Sequence, residues 1–310
     1  MARHATIGYA SVIVAALLWA SCGTAGKALF GSGIPPALLV QTRVTLASLI
    51  LGAFLAAWRP SLLRIGVKDL GFFLVFGGVF MASMQLAYFM AISKIQVAAA
   101  ILVQYLAPVI VAAYSMAFWH ERVTAKKAAA LALSMAGCYL VVGGYSLRLV
   151  SLNLPGILWA LLSAFAFAGT TLLGEKGMHT HNPWTSLMYA LLFSALSLNV
   201  AYEPLQILSV SYTPIQWGAI LYIVVFGTLI PFGLYLTGVN YIRSTRTIIT
   251  ATLEPIAAAV MAFSLLGERL SVLQAAGGLA VISAVVLLQL EREHDERSPE
   301  TIRATARDRR

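Results

Sequence analysis

The sequence predicts an all-α membrane protein of ten transmembrane helices, built as two five-helix inverted repeats. Three observations carry that prediction. Ten apolar runs of about 25 residues follow one another from Ile7 to Leu290, and a bilayer core about 30 Å thick takes roughly 20 helical residues to cross. Hydrophobic residues make up 60% of the 310-residue chain and charged residues 11%, with a mean hydropathy of +0.84, more apolar surface than a soluble domain hides. Laying residue n over residue n+147 also superposes rare polar features of the two halves. The runs are continuous rather than alternating, which excludes a β-barrel.

The first span, 7–30, closes at Gly31-Ser32-Gly33-Ile34-Pro35-Pro36, and the second, 36–58, at Arg59-Pro60. Spans 69–92, 95–118 and 124–146 complete the first half. Asn153-Leu154-Pro155-Gly156 opens span 154–176 and His181-Asn182-Pro183 opens span 183–202; spans 214–240, 244–266 and 271–290 follow. Proline is tolerated in a first helical turn and breaks an interior, so these clusters read as stops and starts. The domain reading is residues 1–147 as the first repeat, 148–290 as the second and 291–310 as a mixed-charge, disordered cytoplasmic tail. No loop is long enough for an appended catalytic module.

Two N-terminal look-alikes fail. Trp19-Ala20-Ser21-Cys22 mimics a lipoprotein cleavage site, but the apolar run continues past it to Phe30 and nine more spans follow, so the first helix is read as retained. Gly23-Thr24-Ala25-Gly26-Lys27 mimics a phosphate loop without its first glycine or the Ser/Thr after lysine. Cys22 and Cys138 both lie in apolar spans and read as small packing residues.

With the N-terminus inside, sixteen Lys and Arg fall on inner segments and three on outer ones, while Lys27 and Arg43 lie within spans. The asymmetry predicts that both termini are cytoplasmic. Basic residues facing anionic lipid account for the net charge of +9 without nucleic acid.

In the repeat, Tyr88 falls on Tyr235, Pro108 on Pro255, Glu121-Arg122 on Glu268-Arg269 and Thr124 on Ser271; one residue of slippage adds Gly8 over Gly156 and Gly26 over Gly174. Five spans per half is an odd number, so the halves insert with opposite orientation, a recurrent plan of secondary transporters. Leu106-Ala107-Pro108-Val109 with Trp119-His120-Glu121-Arg122-Val123-Thr124, and Leu253-Glu254-Pro255 with Leu266-Gly267-Glu268-Arg269-Leu270-Ser271, resemble the EamA-like family of the drug/metabolite transporter superfamily. Arg43 fits the family pattern, while His120 stands where the first motif usually has glycine. The resemblance covers about residues 6–290. It implies a multi-pass protein of the bacterial inner membrane that moves small metabolites, commonly as an exporter of amino acids or related compounds.

Glu254 lies ten residues into span nine, about 15 Å deep. A carboxylate there is costly unless protonated, paired or hydrated. It reads either as a substrate-amine or proton site, or as a structural carboxylate pinning helices. Thr247, Thr250 and Glu254 share one helical stripe. Arg43, roughly 10 Å from the outer end of span two, either takes a substrate carboxylate with its planar fork or pairs with Glu254 or snorkels. Trp19, Gln85, Tyr88, Gln104, Tyr105, Trp159, Tyr189 and Tyr235 are further candidates for a cavity wall, each balanced against plain packing. Tyr88 and Tyr235 are favoured because the repeat pairs them. Pro108 and Pro255 are candidate hinges.

Glu121-Arg122 and Glu268-Arg269 lie at opposite faces and read as helix-end ion pairs. Gly137, Gly143-Gly144 and Gly277-Gly278 permit close packing, within the molecule or in a possible homodimer. His179-Thr180-His181 lacks further metal ligands. No catalytic residue, metal or cofactor is predicted. The readings in contention are a secondary transporter, a channel or structural membrane protein, and an intramembrane enzyme; the last would need a concentrated set of reactive groups.

Overall fold

The structure, a computed structural model, describes residues 2–95, 97–119, 124–142, 145, 154–203, 212–266, 271–290 and 298–308. The first half comprises α1 (Ala2–Gly31), α2 (Pro36–Trp58), α3 (Val67–Lys94), α4 (Val97–Gln104, resuming as Ala107–Trp119) and α5 (Ala125–Val142). The second begins with α6 (Leu154–Met178) and α7 (Pro183–Ala201) and ends with α10 (Val272–Gln289). Between them a helical stretch, Pro214–Ala251, contains Arg243 at φ 65° and ψ 171°. That residue divides it into α8 (214–242) and α9, which runs from 244 to 251 and resumes as Leu253–Leu266. Among the described residues nine helices are long and apolar enough to cross a membrane, and the division at Arg243 makes ten spans. The predicted spans agree to within a few residues; α1 starts at Ala2 rather than Ile7.

Positive φ strains a residue that carries a Cβ. At Arg243 one carboxylate holds the corner: Glu175, 2% exposed, accepts from Arg243 Nε at 2.9 Å and from the Ser244 backbone N–H at 2.7 Å. The Ser244 hydroxyl donates to the same Glu175 oxygen. The start of α9 is thereby fastened to the last turns of α6.

The packing has the symmetry of the sequence. Helix α1 packs along α8 and α6 along α3, while α2 faces α7 and α5 faces α10. Exchanging the halves maps this set of pairs onto itself. A Cβ on Gly8 would stand 2.8 Å from Ile242 Cγ2, and one on its repeat partner Gly156 would stand 2.5 Å from Cγ2 of Ile95, the partner of Ile242. Glycine thus lets α1 meet α8 at one face of the bundle and α6 meet α3 at the other. Gly137 and Gly277 serve closure within the molecule, since a Cβ on either would lie 2.7 Å from the other's carbonyl oxygen. Large apolar side chains such as Leu49, Phe54, Phe165 and Leu279 point outward, as a lipid-facing surface requires.

Irregular backbone is symmetric too. Helix α3 widens into π-turns over Leu74–Met81 and α8 over Val225–Leu229, stretches that overlap under the 147-residue offset. Helix α4 breaks at Tyr105-Leu106 and α9 at Thr252, and residues 105 and 252 are repeat partners.

The tail departs from expectation. Residues 291–297 lie outside the described residues, but Pro299–Asp308 forms a helix, α11. Arg303 donates to the carbonyls of Met178 and, at 2.7 Å, His181, and to Asn240 Oδ1 at 2.8 Å; it also pairs with Glu300. The end of α6 leaves carbonyls without helical donors, and a guanidinium there supplies both hydrogen bonds and the charge favoured at a helix C-terminus. Polar capping orders a segment too hydrophilic to be ordered by burial. Glu121-Arg122, Glu268-Arg269, Gly143-Gly144 and the Lys27 side chain lie outside the described residues.

Candidate functional site

A cavity of about 580 Å³, its open mouth included, is walled by residues of α1, α2, α3, α4, α6, α8 and α9. Both halves contribute.

Arg43, 6% exposed, enters from α2. Its Nε donates to Thr228 Oγ1 at 3.0 Å and Nη2 to the Gly227 carbonyl at 3.2 Å, with the guanidinium 4.8 Å above the Phe89 ring. Four residues after Gly227 comes Pro231, which has no N–H to give that carbonyl. Arg43 occupies the acceptor that the proline leaves. Two of the five guanidinium N–H groups are thereby used, and among the described residues no carboxylate lies within ion-pair distance.

Glu254 reaches the cavity from the first turn of the resumed α9. Its hydrogen bond is with the Tyr105 hydroxyl, at 2.8 Å, and the same hydroxyl lies 2.7 Å from the Ala251 carbonyl oxygen. The expected Glu254–Arg43 pair does not form: Arg43 is bonded to Thr228 and Gly227 on α8, and Glu254 to the Tyr105 hydroxyl. The cavity therefore holds a cation and a carboxylate that do not neutralise each other directly.

Two amides also line the wall. Gln104 Nε2 donates to Ser163 Oγ at 2.6 Å, and Ser163 in turn to the Met84 carbonyl. Gln85 is 3% exposed, and neither its oxygen nor its nitrogen has a protein partner. An unmet buried amide costs about 1–3 kcal/mol, so the position is held against folding stability.

The rest of the wall is largely aromatic. Trp19 meets Phe232 at 5.0 Å and Phe167 at 6.3 Å between ring centroids, both edge-on. Tyr88 also lines the space. Of the predicted site residues, Arg43, Glu254, Trp19, Gln85, Tyr88 and Gln104 come together here.

The other candidates do not line it; the hydroxyls of Tyr105 and Tyr189 donate instead to the carbonyls of Ala251 and Leu63. Tyr235, 1% exposed, sits behind Trp19 at 5.3 Å with its hydroxyl bonded to Thr171. Tyr88 and Tyr235 do occupy equivalent places on α3 and α8, but the Trp19 ring covers only the second. Trp159 packs against the apolar core of α6 and its neighbours. Thr250 is fully buried and donates to the Arg246 carbonyl of its own helix; the break at Thr252 ends the register that was to carry the polar stripe on to Glu254. Pro108 and Pro255 each lie in the first turn after the repeat-related breaks.

Met84, Phe89, Phe167, Gly227 and Phe232 line the cavity without having been singled out, and Cys22, read from the sequence as a packing residue, joins them. The repeat held a signal for two of them: Phe167 is the partner of Trp19 at an offset of 148, and Phe232 of Gln85 at 147. Cys22 is one turn beyond Trp19, so its thiol is on a cavity wall rather than in packing alone. His181 approaches Asp69 at 3.3 Å beside α3.

The family model of the EamA-like transporter family matches residues 6–143 and again 154–290, one match per half. The inner membrane transporter YicL of Salmonella typhimurium is 27% identical over 288 residues, 92% of this chain and 95% of that protein. The transporter YwfM of Bacillus subtilis is 28% identical over 281 residues, covering 88% and 92% of the two chains. A crystal structure shares the fold with a TM-score of 0.73 at 20% identity, over 92% of this chain and 96% of the other. Family and relatives point to transport rather than catalysis. With ten helices in two inverted repeats around a central cavity, and a family match over each repeat, the chain belongs to the EamA-like transporter family, multi-pass membrane transporters of the drug/metabolite type.

Proposed function

We propose that the protein is an alternating-access exporter of amino acids or closely related zwitterionic metabolites. One observation carries the reading: Arg43 and Glu254 share a cavity without pairing. A solute bearing both charges supplies what each lacks. Its carboxylate meets the free N–H groups of Arg43, Gln85 gives an amide with both donor and acceptor open, and Trp19, Phe167 and Phe232 receive an apolar or aromatic side group. In this reading both termini face the cytoplasm, and the paired breaks before Pro108 and Pro255 are the flexing points of the two halves.

Counterflow tests the function. Proteoliposomes loaded with unlabelled L-phenylalanine should accumulate the labelled solute from outside, saturably and with trans-stimulation. Uptake that neither saturates nor responds to internal solute marks a channel instead. A thermal-shift screen of amino acids, nucleosides and organic cations then ranks substrates, since a solute that binds the folded form raises its apparent stability.

A further inference from the structure

We infer that Glu254, Tyr105 and the Ala251 carbonyl form a site for one proton, the coupling ion of the carrier proposed above, and that its occupancy is read by the helix break in α9. The inference rests on that carrier reading for its role and on proton counting for its chemistry.

Tyr105 lies at the break of α4, and its side chain crosses to the break of α9. It is 2% exposed, and its hydroxyl contacts Ala251 O at 2.7 Å and Glu254 Oε2 at 2.8 Å. A phenol has one proton to give. The α-helical donor for Ala251 O would be the N–H of residue 255, which is a proline. If Glu254 is ionised, carbonyl and carboxylate compete for the single phenolic proton, and one buried acceptor goes without. If Glu254 is protonated, its O–H donates to the phenolic oxygen while the phenol donates to Ala251 O, and all three groups are satisfied in series. Two short contacts at one hydroxyl accommodate this series, with the phenol as donor to one oxygen and acceptor from the other.

Removing that proton draws the phenol to the carboxylate and frees the carbonyl at the point where α9 bends. The proton therefore selects which bond holds the break, and through Tyr105 it ties that break to its counterpart in α4. The ionisable groups facing Glu254 are Cys22 on α1, Arg43 on α2, Tyr88 on α3, Tyr105 on α4 and Cys138 on α5, whose thiol lies 3.9 Å from the Thr252 carbonyl. Helix α10 has no ionisable side chain between Val272 and Gln289. Arg43 is bonded to Thr228 and Gly227, so in the empty cavity a proton rather than a salt bridge satisfies the carboxyl, and the ammonium of the solute takes the proton's place when it binds. The device exists once: the repeat partners of Tyr105 and Glu254 are Thr252 and Ala107. One proton per molecule follows.

The test uses the full-length protein in lipid vesicles. Infrared titration should show a protonated-carboxyl C=O band lost at alkaline pH, absent in Glu254→Gln and shifted in Tyr105→Phe, where its hydrogen-bond partner is gone. Exchange of labelled L-phenylalanine should follow pH with the slope of a single proton in the wild type, and Glu254→Gln, whatever its rate, should lose that slope. The proposal is overturned if the wild-type band is missing at acid pH, if Tyr105→Phe leaves it in place, or if Glu254→Gln keeps the wild-type profile. Should Glu254→Gln not fold, Glu254→Asp and Tyr105→Phe give the same decision by displacement of the band. Wild-type vesicles that exchange nothing overturn the carrier reading for this solute while the band still judges the proton site; exchange without a Glu254-dependent band overturns the proton site alone.

Discussion

Arg43 and Gln85 are maintained in the cavity wall at a cost to the empty protein, and the sign of that cost distinguishes their role from packing. Arg43→Gln keeps a polar side chain but removes the charge facing solute. Charged hydrogen bonds are worth about 1.5–3 kcal/mol, so the half-saturation concentration of a carboxylate-bearing solute should rise about 10- to 100-fold, with little change for its uncharged amide in the same counterflow assay. Gln85→Met removes an amide that has no partner in the protein. Its melting temperature should rise by a few degrees while solute affinity falls, read by thermal shift with and without solute. A packing glutamine would lose stability and leave affinity alone. Much of this residue-level picture was legible in the sequence, because a charge or amide in the middle of an apolar span stands out. The direction a side chain takes was not. Thr250 and Tyr235 have the right residue types and depth, but a helix break and a covering tryptophan ring turn them away from the space, and neither effect has a signature in spacing.

At the scale of helices, paired prolines sit just beyond paired breaks, rather than in the middle of continuous helices. Pro108→Ala and Pro255→Ala restore an N–H that lets α4 and α9 close over Tyr105-Leu106 and Thr252. Each variant should lose turnover at least severalfold with near-normal solute binding, compared by counterflow rate and thermal shift; equal losses in both would place the prolines in the binding wall. The ten spans themselves were readable because membrane helices must satisfy their backbone internally and so remain long and apolar. Helix α11 was not readable, since its order comes from carbonyls of α6 that no local pattern in 299–308 announces. Burial pushes the Glu300 carboxyl up, but the Asn240 hydrogen bond and Arg303 together outweigh it and hold the group below the usual carboxylate range. A depressed carboxyl contributes docking that is present above that range and lost as pH falls through the depressed value. The protection of amides over 299–308, relative to their intrinsic exchange rates at each pH, should therefore fall in acid, and Arg303→Ala should lower it at every pH.

For the molecule as a whole, the inverted arrangement predicts opposite membrane faces for the two Glu-Arg motifs. Single cysteines at Arg122 and Arg269, in a background without Cys22 and Cys138, should label from opposite sides of the membrane, with Arg122 cytoplasmic. Labelling from one side only would contradict both the orientation and the repeat. The two halves are nevertheless unequal in chemistry. Arg43 and Glu254 have Ala190 and Ala107 as repeat partners at the 147-residue offset, so the fold is symmetric while the charges of the cavity are not. The docked α11 adds a consequence for biogenesis. Arg303 follows the ten spans described above, yet the groups it joins belong to the end of α6, the turn after it and α8. During synthesis the bundle is therefore inserted and packed before its α6–α8 seam can be stapled. Ribosome-stalled chains that end ahead of α11 would carry the ten spans described above with that seam still unstapled.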